Sequence, residues 1–323
     1  MSKSPKHKTG NAKNIDISTP MKPFADPVME AIFVDKDVAG LAARSFINAV
    51  LAESNDPLIG EITLLTPQKT MADPLGRGYR FDIEARVNDR EFVDIEIQFS
   101  KMNMNERGML YGGRYLEENA KRGDEIEVVL KKVPRVIIIN VLHFIWRENH
   151  DDFHQPIDLT YRKPGIQGQH ERASDRLTIF NVEIPKFERH VLPSLKNSNF
   201  SPETPILHYW LWALCEAQNK EIGIKDVISM NDALKEFAES DPGFQQYADR
   251  YEKISDDLHV RKMYAIWTGG LGALVNKSIK DVVTAVMKWH VPLNEAMAEM
   301  ELDEQYRDYV IAELKEQNVD FTE

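Results

Sequence analysis

Two neighbouring stretches, Arg80-Phe81-Asp82-Ile83-Glu84-Ala85-Arg86-Val87 and Phe92-Val93-Asp94-Ile95-Glu96-Ile97-Gln98-Phe99, alternate apolar and polar residues with a period of two. Such alternation predicts β-strands with one face against a core. The polar Asn88-Asp89-Arg90 between them predicts a hairpin turn. For Phe81, Ile83, Ala85 and Val87 to share a face with Val93, Ile95 and Ile97, paired positions must differ by an even number. A three-residue turn meets that condition by pairing Val87 with Glu91, Ala85 with Val93, Ile83 with Ile95 and Phe81 with Ile97. The other face then sets Glu84 against Asp94, Asp82 against Glu96 and Arg80 against Gln98. A two-residue turn would oppose apolar to polar residues and is rejected.

Around the hairpin the pattern changes period. Asp37 to Glu53 predicts a helix, with Ala39, Ala42, Phe46, Ala49 and Val50 at helical spacing. Ile59 to Leu65 predicts a strand. Ser100 to Arg122 predicts a helix with Asn105 as its cap and Gly123 as its stop. Arg135 to Phe144 is a strongly apolar strand, and Arg176 to Ile184 a further one before Pro185. Strands, a helix and more strands imply an α/β fold: a mixed β-sheet flanked by helices, with a C-terminal helical extension. The polar, Pro- and Gly-containing stretch 148–175 predicts a short hairpin and a loop. Past Pro202 the pattern is helical, with helices near Asp226–Ser240, Gly243–Lys262, Ile279–Trp289 and Leu293–Leu314. The expected division is a tail over 1–20, an α/β domain over 21–200 and an acidic helical domain over 201–323.

Composition narrows the classes. With 323 residues and 42% hydrophobic content, the chain can bury a full core. No apolar run reaches the length of a membrane span, and the basic N-terminus (Lys3, Lys6, Lys8) lacks an apolar signal region. The single cysteine, Cys215, excludes an internal disulfide and a cysteine-based zinc site, fits a reducing cytoplasm, and reads as a small core residue among Trp210, Trp212 and Leu214. A net charge of −12 argues against tight non-specific DNA binding. The excess is local, however: residues 201–323 hold 23 acidic and 12 basic side chains, whereas residues 1–200 hold 29 and 28.

The chemistry concentrates on the polar face of the hairpin. Like charges directly opposite in a ladder are destabilising, so the facing carboxylates call for a cation. Two readings are open. A divalent ion with oxygen ligands at roughly 2.0–2.1 Å, as Mg²⁺ prefers, fits between Asp82 and Glu96; alternatively the face is a solvated exterior with its charges apart in water. Gln98, two positions beyond Glu96, can orient a water beside a metal. Among other candidates, Arg107, Tyr111 and Arg114 form a helical stripe that can face a phosphodiester backbone, with packing as the plainer role of Tyr111. His150 and His154 read as surface residues, and His143 as a strand-end residue satisfied by a backbone partner. Gly269-Gly270-Leu271-Gly272 lacks the Lys-Ser/Thr of a phosphate loop and reads as a helix break.

Taken together these residues resemble the PD-(D/E)xK nuclease superfamily, and within it the recombination-promoting Rpn type, also described as transposases. The resemblance runs over about residues 22 to 218. It rests on Asp26-Pro27-Val28-Met29-Glu30-Ala31-Ile32-Phe33, Ser45-Phe46-Ile47-Asn48-Ala49-Val50-Leu51, Asp82, Ile95-Glu96-Ile97-Gln98, Arg107, Tyr111, Gly123, the apolar strand from Val136, and Glu183-Ile184-Pro185-Lys186-Phe187. Gln98 stands where the superfamily usually has Lys, and Glu30-Ala31 where the Rpn type has Phe-Lys. The resemblance implies a restriction-endonuclease-like core and a DNA endonuclease using Mg²⁺ or Mn²⁺. Asp82, Glu96 and the backbone carbonyl of Ile97 would hold the ion, Gln98 would orient the water, and Asp26 or Glu30 would add a carboxylate. DNA is the implied partner, with Arg107 and Tyr111 as contacts, and a homodimer would cut both strands. The alternative is a catalytically weak or inactive accessory protein that binds DNA or a protein through the same sheet. A pair of carboxylates acting on a glycosidic bond would need an acid with a raised pKa, which four crowded carboxylates do not favour.

Overall fold

The run Arg135-Val136-Ile137-Ile138-Ile139-Asn140-Val141-Leu142 barely alternates, as a strand covered on both sides requires, and every residue in it is buried. The structure is a computed structural model describing residues 19–34, 40–65, 71–72, 78–79, 83–87, 91–99, 101, 103–118, 125, 127, 131–162, 170–268, 272–299, 307–316, 319 and 321. In chain order, the first elements are α1 (Asp26–Phe33), α2 (Leu41–Glu53), β1 (Ile62–Leu65), β2 (Met71–Ala72), β3 (Gly78–Tyr79), β4 (Ile83–Val87), β5 (Glu91–Gln98) and α3 (Met104–Glu118). There follow β6 (Arg135–Leu142), β7 (His154–Asp158), β8 (Thr160–Arg162), β9 (His170–Arg172) and β10 (Leu177–Glu183). The helices after the last strand are α4 (Ile184–His190), α5 (Leu192–Leu195), α6 (Ile206–Lys220), α7 (Ile224–Ser229), α8 (Asp232–Ser240), α9 (Pro242–Ser255), α10 (Leu258–Trp267), α11 (Gly272–Trp289), α12 (Leu293–Glu299) and α13 (Arg307–Glu316).

Six strands form one mixed sheet in the order β1-β4-β5-β6-β10-β7. Its centre, β5, β6 and β10, is parallel, while β1, β4 and β7 run antiparallel to their neighbours. Helices cover both faces. On one side α2 approaches β1 through Gly40, whose φ of +63° suits glycine and whose added Cβ would lie 2.9 Å from Ile62 Cδ1. On the other side α3 lies over Phe92, Val136, Ile138 and Ile179 through Tyr111 and Tyr115.

The short hairpin expected within 148–175 is β8 with β9; the same stretch also supplies β7, an edge strand of the main sheet that contains Pro156. Pro156 pairs with Phe180 at the sheet edge, where the missing N–H costs no ladder bond. The helix predicted from Asp37 starts at Leu41, and residues 35–39 lie outside the described ones. Two of the predicted C-terminal helices are each two: α7 and α8 break at Asn231, and α9 and α10 near Asp256.

The chain divides into two compact units, Met21–Ile254 and Ser255 onward with the residues before Met21. The first unit therefore continues past the composition shift near residue 200. Trp210 of α6 packs its ring against Phe33, Phe46, Phe244 and Tyr247. Asp241 caps α9 by accepting from the Gly243 and Phe244 N–H groups, and accepts from Ser45 Oγ of α2 at 2.6 Å. Aromatic packing, indifferent to net charge, joins these helices to α1 and α2. The second unit has its own core of Val282, Val286, Leu293, Met297, Val310 and Leu314.

Candidate active site

The hairpin pairs as the alternation demands: Ile83 with Ile95, Glu84 with Asp94, Ala85 with Val93, Arg86 with Phe92 and Val87 with Glu91. Arg80, Phe81 and Asp82 and the turn 88–90 lie outside the described residues, so the expected facing of Asp82 and Glu96 falls just beyond the last described pair.

The polar face is not a solvated exterior. Glu84, Asp94 and Glu96 are all buried, the last two at 0% exposure. The cause is that β5 is an inner strand. Phe92 below the carboxylates joins Val136, Ile138 and Ile179 in an apolar patch that α3 covers. Gly108 and Gly112 bring α3 down: an added Cβ would lie 2.9 Å from Ile179 Cδ1 and 2.4 Å from Leu177 Cδ1, respectively.

Burying a carboxylate is costly unless a cation or good donors accompany it. Arg107, on the first turn of α3, forms an ion pair through Nη2 with Glu96 Oε2. Its guanidinium also lies 5.0 Å over the ring of Tyr111, one turn on. Tyr111 is buried, so packing and support of Arg107 are what its position offers. Gln98 ends β5 on the same face as Glu96 and is half-buried, whereas Ile97 turns its side chain into the core on the α2 side. Asp26 and Glu30 are half-buried on α1, which packs with α2.

Sequence reasoning missed a polar row at the level of Glu96. Register places Asn140 beside Glu96, then Asn181 beside Asn140, then Gln155 beside Asn181. Asn140 Nδ2 donates to Asn181 Oδ1 at 2.8 Å. Gln155 Nε2 donates to Glu183 Oε1 at 2.8 Å, and the buried Lys186 ammonium lies 3.0 Å from that oxygen. The signal was available: Asn140 and Asn181 are polar residues each flanked on both sides by apolar ones within their strands.

Histidine expectations need correction. Among the described residues no backbone partner holds the ring of His143; its backbone N–H donates to the Gln98 carbonyl at 2.9 Å, while the imidazole stacks on Phe99 and makes a T-shaped contact with Phe24. Burial first, and then the charge of Lys22, lower its pKa to about 4. His154 is not a surface residue but starts β7, with Nδ1 at 3.2 Å from Ser54 Oγ, and burial lowers its pKa. His150 is exposed, and Cys215 is buried as expected.

The donors at this place are hard oxygens on a carboxylate that requires positive charge, a chemistry that suits a divalent cation. Among the described residues no three acidic, histidine or cysteine side chains converge to hold one alone. Also among the described residues, no helix is long and apolar enough to cross a membrane.

No curated protein and no solved structure matches the chain. A family model described as PD-(D/E)XK nuclease family transposase matches residues 35–266, which take in the whole sheet and helices α2 to α9. With a six-stranded mixed sheet flanked by helices, of the restriction-endonuclease-like kind, and a match over more than two thirds of its length, the chain belongs to the PD-(D/E)XK nuclease family transposases, nuclease-type domains linked to mobile elements.

Proposed function

We propose that the chain is a divalent-metal-dependent DNA endonuclease whose site is built on Asp82 and Glu96. The observation that carries this reading is Glu96 itself: a fully buried carboxylate on an inner strand, accompanied by a cationic partner and followed by Gln98 on the same face. Asp82, Glu96 and the Ile97 carbonyl would hold Mg²⁺ or Mn²⁺, and Asp26 or Glu30 would add a carboxylate through a water. When bound, such an ion polarises a phosphate oxygen and lowers the pKa of a water. Arg107 keeps Glu96 oriented and can exchange it for a substrate phosphate oxygen, a charge-assisted bond of the same kind. Gln98 orients a water through its amide. Being neutral, it neither takes a proton nor offsets charge as Lys would, so cleavage is slow.

The test is nicking of supercoiled plasmid with Mg²⁺ or Mn²⁺. Asp82→Ala and Glu96→Ala should each abolish it, and cutting equal to the parent by either variant would defeat the site assignment. A second reading, a nuclease-fold accessory protein without catalysis, is favoured by Gln98 in the Lys position and by Arg107 on Glu96. Titration calorimetry separates the two: an endonuclease must bind Mn²⁺ in a Glu96-dependent way, and a scaffold need not.

A further inference from the structure

Within the first unit, a cavity of about 570 Å³ opens between α2, the segment leading into α6, and the start of α9. Sites for drug-sized ligands span roughly 300–1,000 Å³. One end is firmly built: an added Cβ at Gly243 would lie 2.4 Å from Ser45 Cβ and 2.7 Å from the Leu41 carbonyl oxygen, so α9 is seated closely on α2. Phe200, Tyr209 and Phe237 line the cavity as an aromatic row, with neighbouring centroids 5.3 and 5.0 Å apart. Leu58 and Ile206 line it as well, and are 61% and 46% exposed.

Most polar groups of the lining are already engaged within the protein. Asn48 Nδ2 donates to the Ile59 carbonyl at 3.1 Å, and its Oδ1 accepts from the Ile59 N–H at 2.8 Å. The Tyr209 hydroxyl accepts from the Ser201 N–H, and the Ser240 hydroxyl donates to the Phe237 carbonyl. Asp241 is occupied by Ser45 Oγ and by two N–H groups of α9. The surface these groups leave is apolar in effect. Arg44 is the exception. Among the described residues its side chain has one partner, Glu61, through Nη1. Glu61 is 81% exposed and Arg44 30%. A surface ion pair of that kind is worth little, and a carboxylate entering from the cavity can take the place of Glu61.

We propose that this cavity binds a small apolar monocarboxylate, with its hydrophobic body along Phe200, Tyr209 and Phe237 and its carboxylate on Arg44 in place of Glu61. The site lies outside the nuclease reading and does not depend on it. Charge selects the head group: Arg44 offers an exchangeable guanidinium, whereas the Asp241 carboxylate is committed to the N-terminus of α9 and to Ser45. The engaged lining limits the ligand to one such group, because a second would be buried without a partner.

The test is isothermal titration of the full chain with sodium decanoate and sodium 2-naphthoate, an acyl and an aromatic acid, and with 1-decanol and decylamine as neutral and cationic counterparts. At least one acid should bind saturably, and the tighter of the two tells whether the body is a chain or a ring system. Arg44→Met should weaken acid binding roughly 10- to 100-fold, the range for a hydrogen bond to a charged group, and leave 1-decanol unchanged. Glu61→Gln, which removes the competing carboxylate, should tighten it. Ala52 is exposed and lines the cavity, so Ala52→Trp should block the space without disturbing the core; unfolding midpoints confirm that each variant folds. Absence of saturable binding by both acids at millimolar concentration overturns the proposal. So does 1-decanol or decylamine binding as tightly as decanoate, unaltered acid affinity in Arg44→Met, or undiminished binding in Ala52→Trp.

Discussion

The close seating of α3 on the sheet holds Arg107 against Glu96, and one substitution tests it. Gly108 and Gly113 both lie within α3. A Cβ at Gly113 would meet nothing within 4 Å, whereas a Cβ at Gly108 would lie 2.9, 3.2 and 3.3 Å from Cδ1, Cγ2 and Cγ1 of Ile179. All three distances fall inside the roughly 3.5–4.0 Å optimum for carbon pairs. Ile179 is buried and β-branched, so its χ1 is stiff and the helix must lift instead. Replacing either glycine by alanine gains about 0.8–1 kcal/mol of helix propensity. That gain is common to both and cancels in the comparison. What remains is overpacking at 108, about 1–3 kcal/mol.

Gly113→Ala should therefore raise the urea unfolding midpoint, and Gly108→Ala should fall about 1–3 kcal/mol below it. Ile179→Val removes Cδ1, the nearest of the three atoms. Alone it should cost about 0.5–1.5 kcal/mol, but in the Gly108→Ala background the cost should shrink or reverse, because the two changes share one contact. The measurement is the midpoint of the first unfolding transition for the parent, the three single variants and the double variant. Equal midpoints for Gly108→Ala and Gly113→Ala, or an Ile179→Val cost identical in both backgrounds, would refute the close-packing argument.

Arg107→Met keeps much of the packing over Tyr111 but leaves Glu96 buried without its guanidinium; because Arg107 is 24% exposed, the loss should be about 2–4 kcal/mol, a little under the 3–5 kcal/mol of fully buried pairs. Millimolar Mn²⁺ should then raise the unfolding midpoint more in this variant than in the parent, since the ion no longer competes with a side chain; an equal or smaller shift would remove Glu96 as a metal ligand. His143 titrates near 6.5 when unfolded and at about 4 when folded, so the unfolded chain binds more protons between those values and stability falls as pH drops through that window, by ~3 kcal/mol in all. His143→Phe should flatten the dependence of the urea midpoint between pH 7 and 4.5, leaving the residual slope of His154, whose pKa burial also lowers; an unaltered slope would show that His143 is not the titrating group.

How much of this was legible in the chain depends on the kind of pattern involved. The hairpin register was legible as far as the described pairs reach, because a period of two and a buried face leave only even offsets, and the five pairs from Ile83–Ile95 to Val87–Glu91 follow them. The burial of the carboxylate face was not read, since alternation separates two faces without saying what covers the polar one. The covering helix had left its trace in Gly108 and Gly112, four apart, and in Phe92, which shares the carboxylates' face but has no place on a solvated one. The polar row was hidden for a related reason: Asn140 and Asn181 look like isolated blemishes until parallel register aligns them with Glu96. The division at 200 was drawn from charge, to which aromatic packing is indifferent: Trp210, in the acidic region, lies against Phe33 and Tyr247. One physical consequence follows for the site. A carboxylate enclosed by apolar strands and a tightly seated helix is a stronger electrostatic demand than one in water, and the Arg107 guanidinium that meets it is thereby held at a fixed point near the carboxyl end of β5.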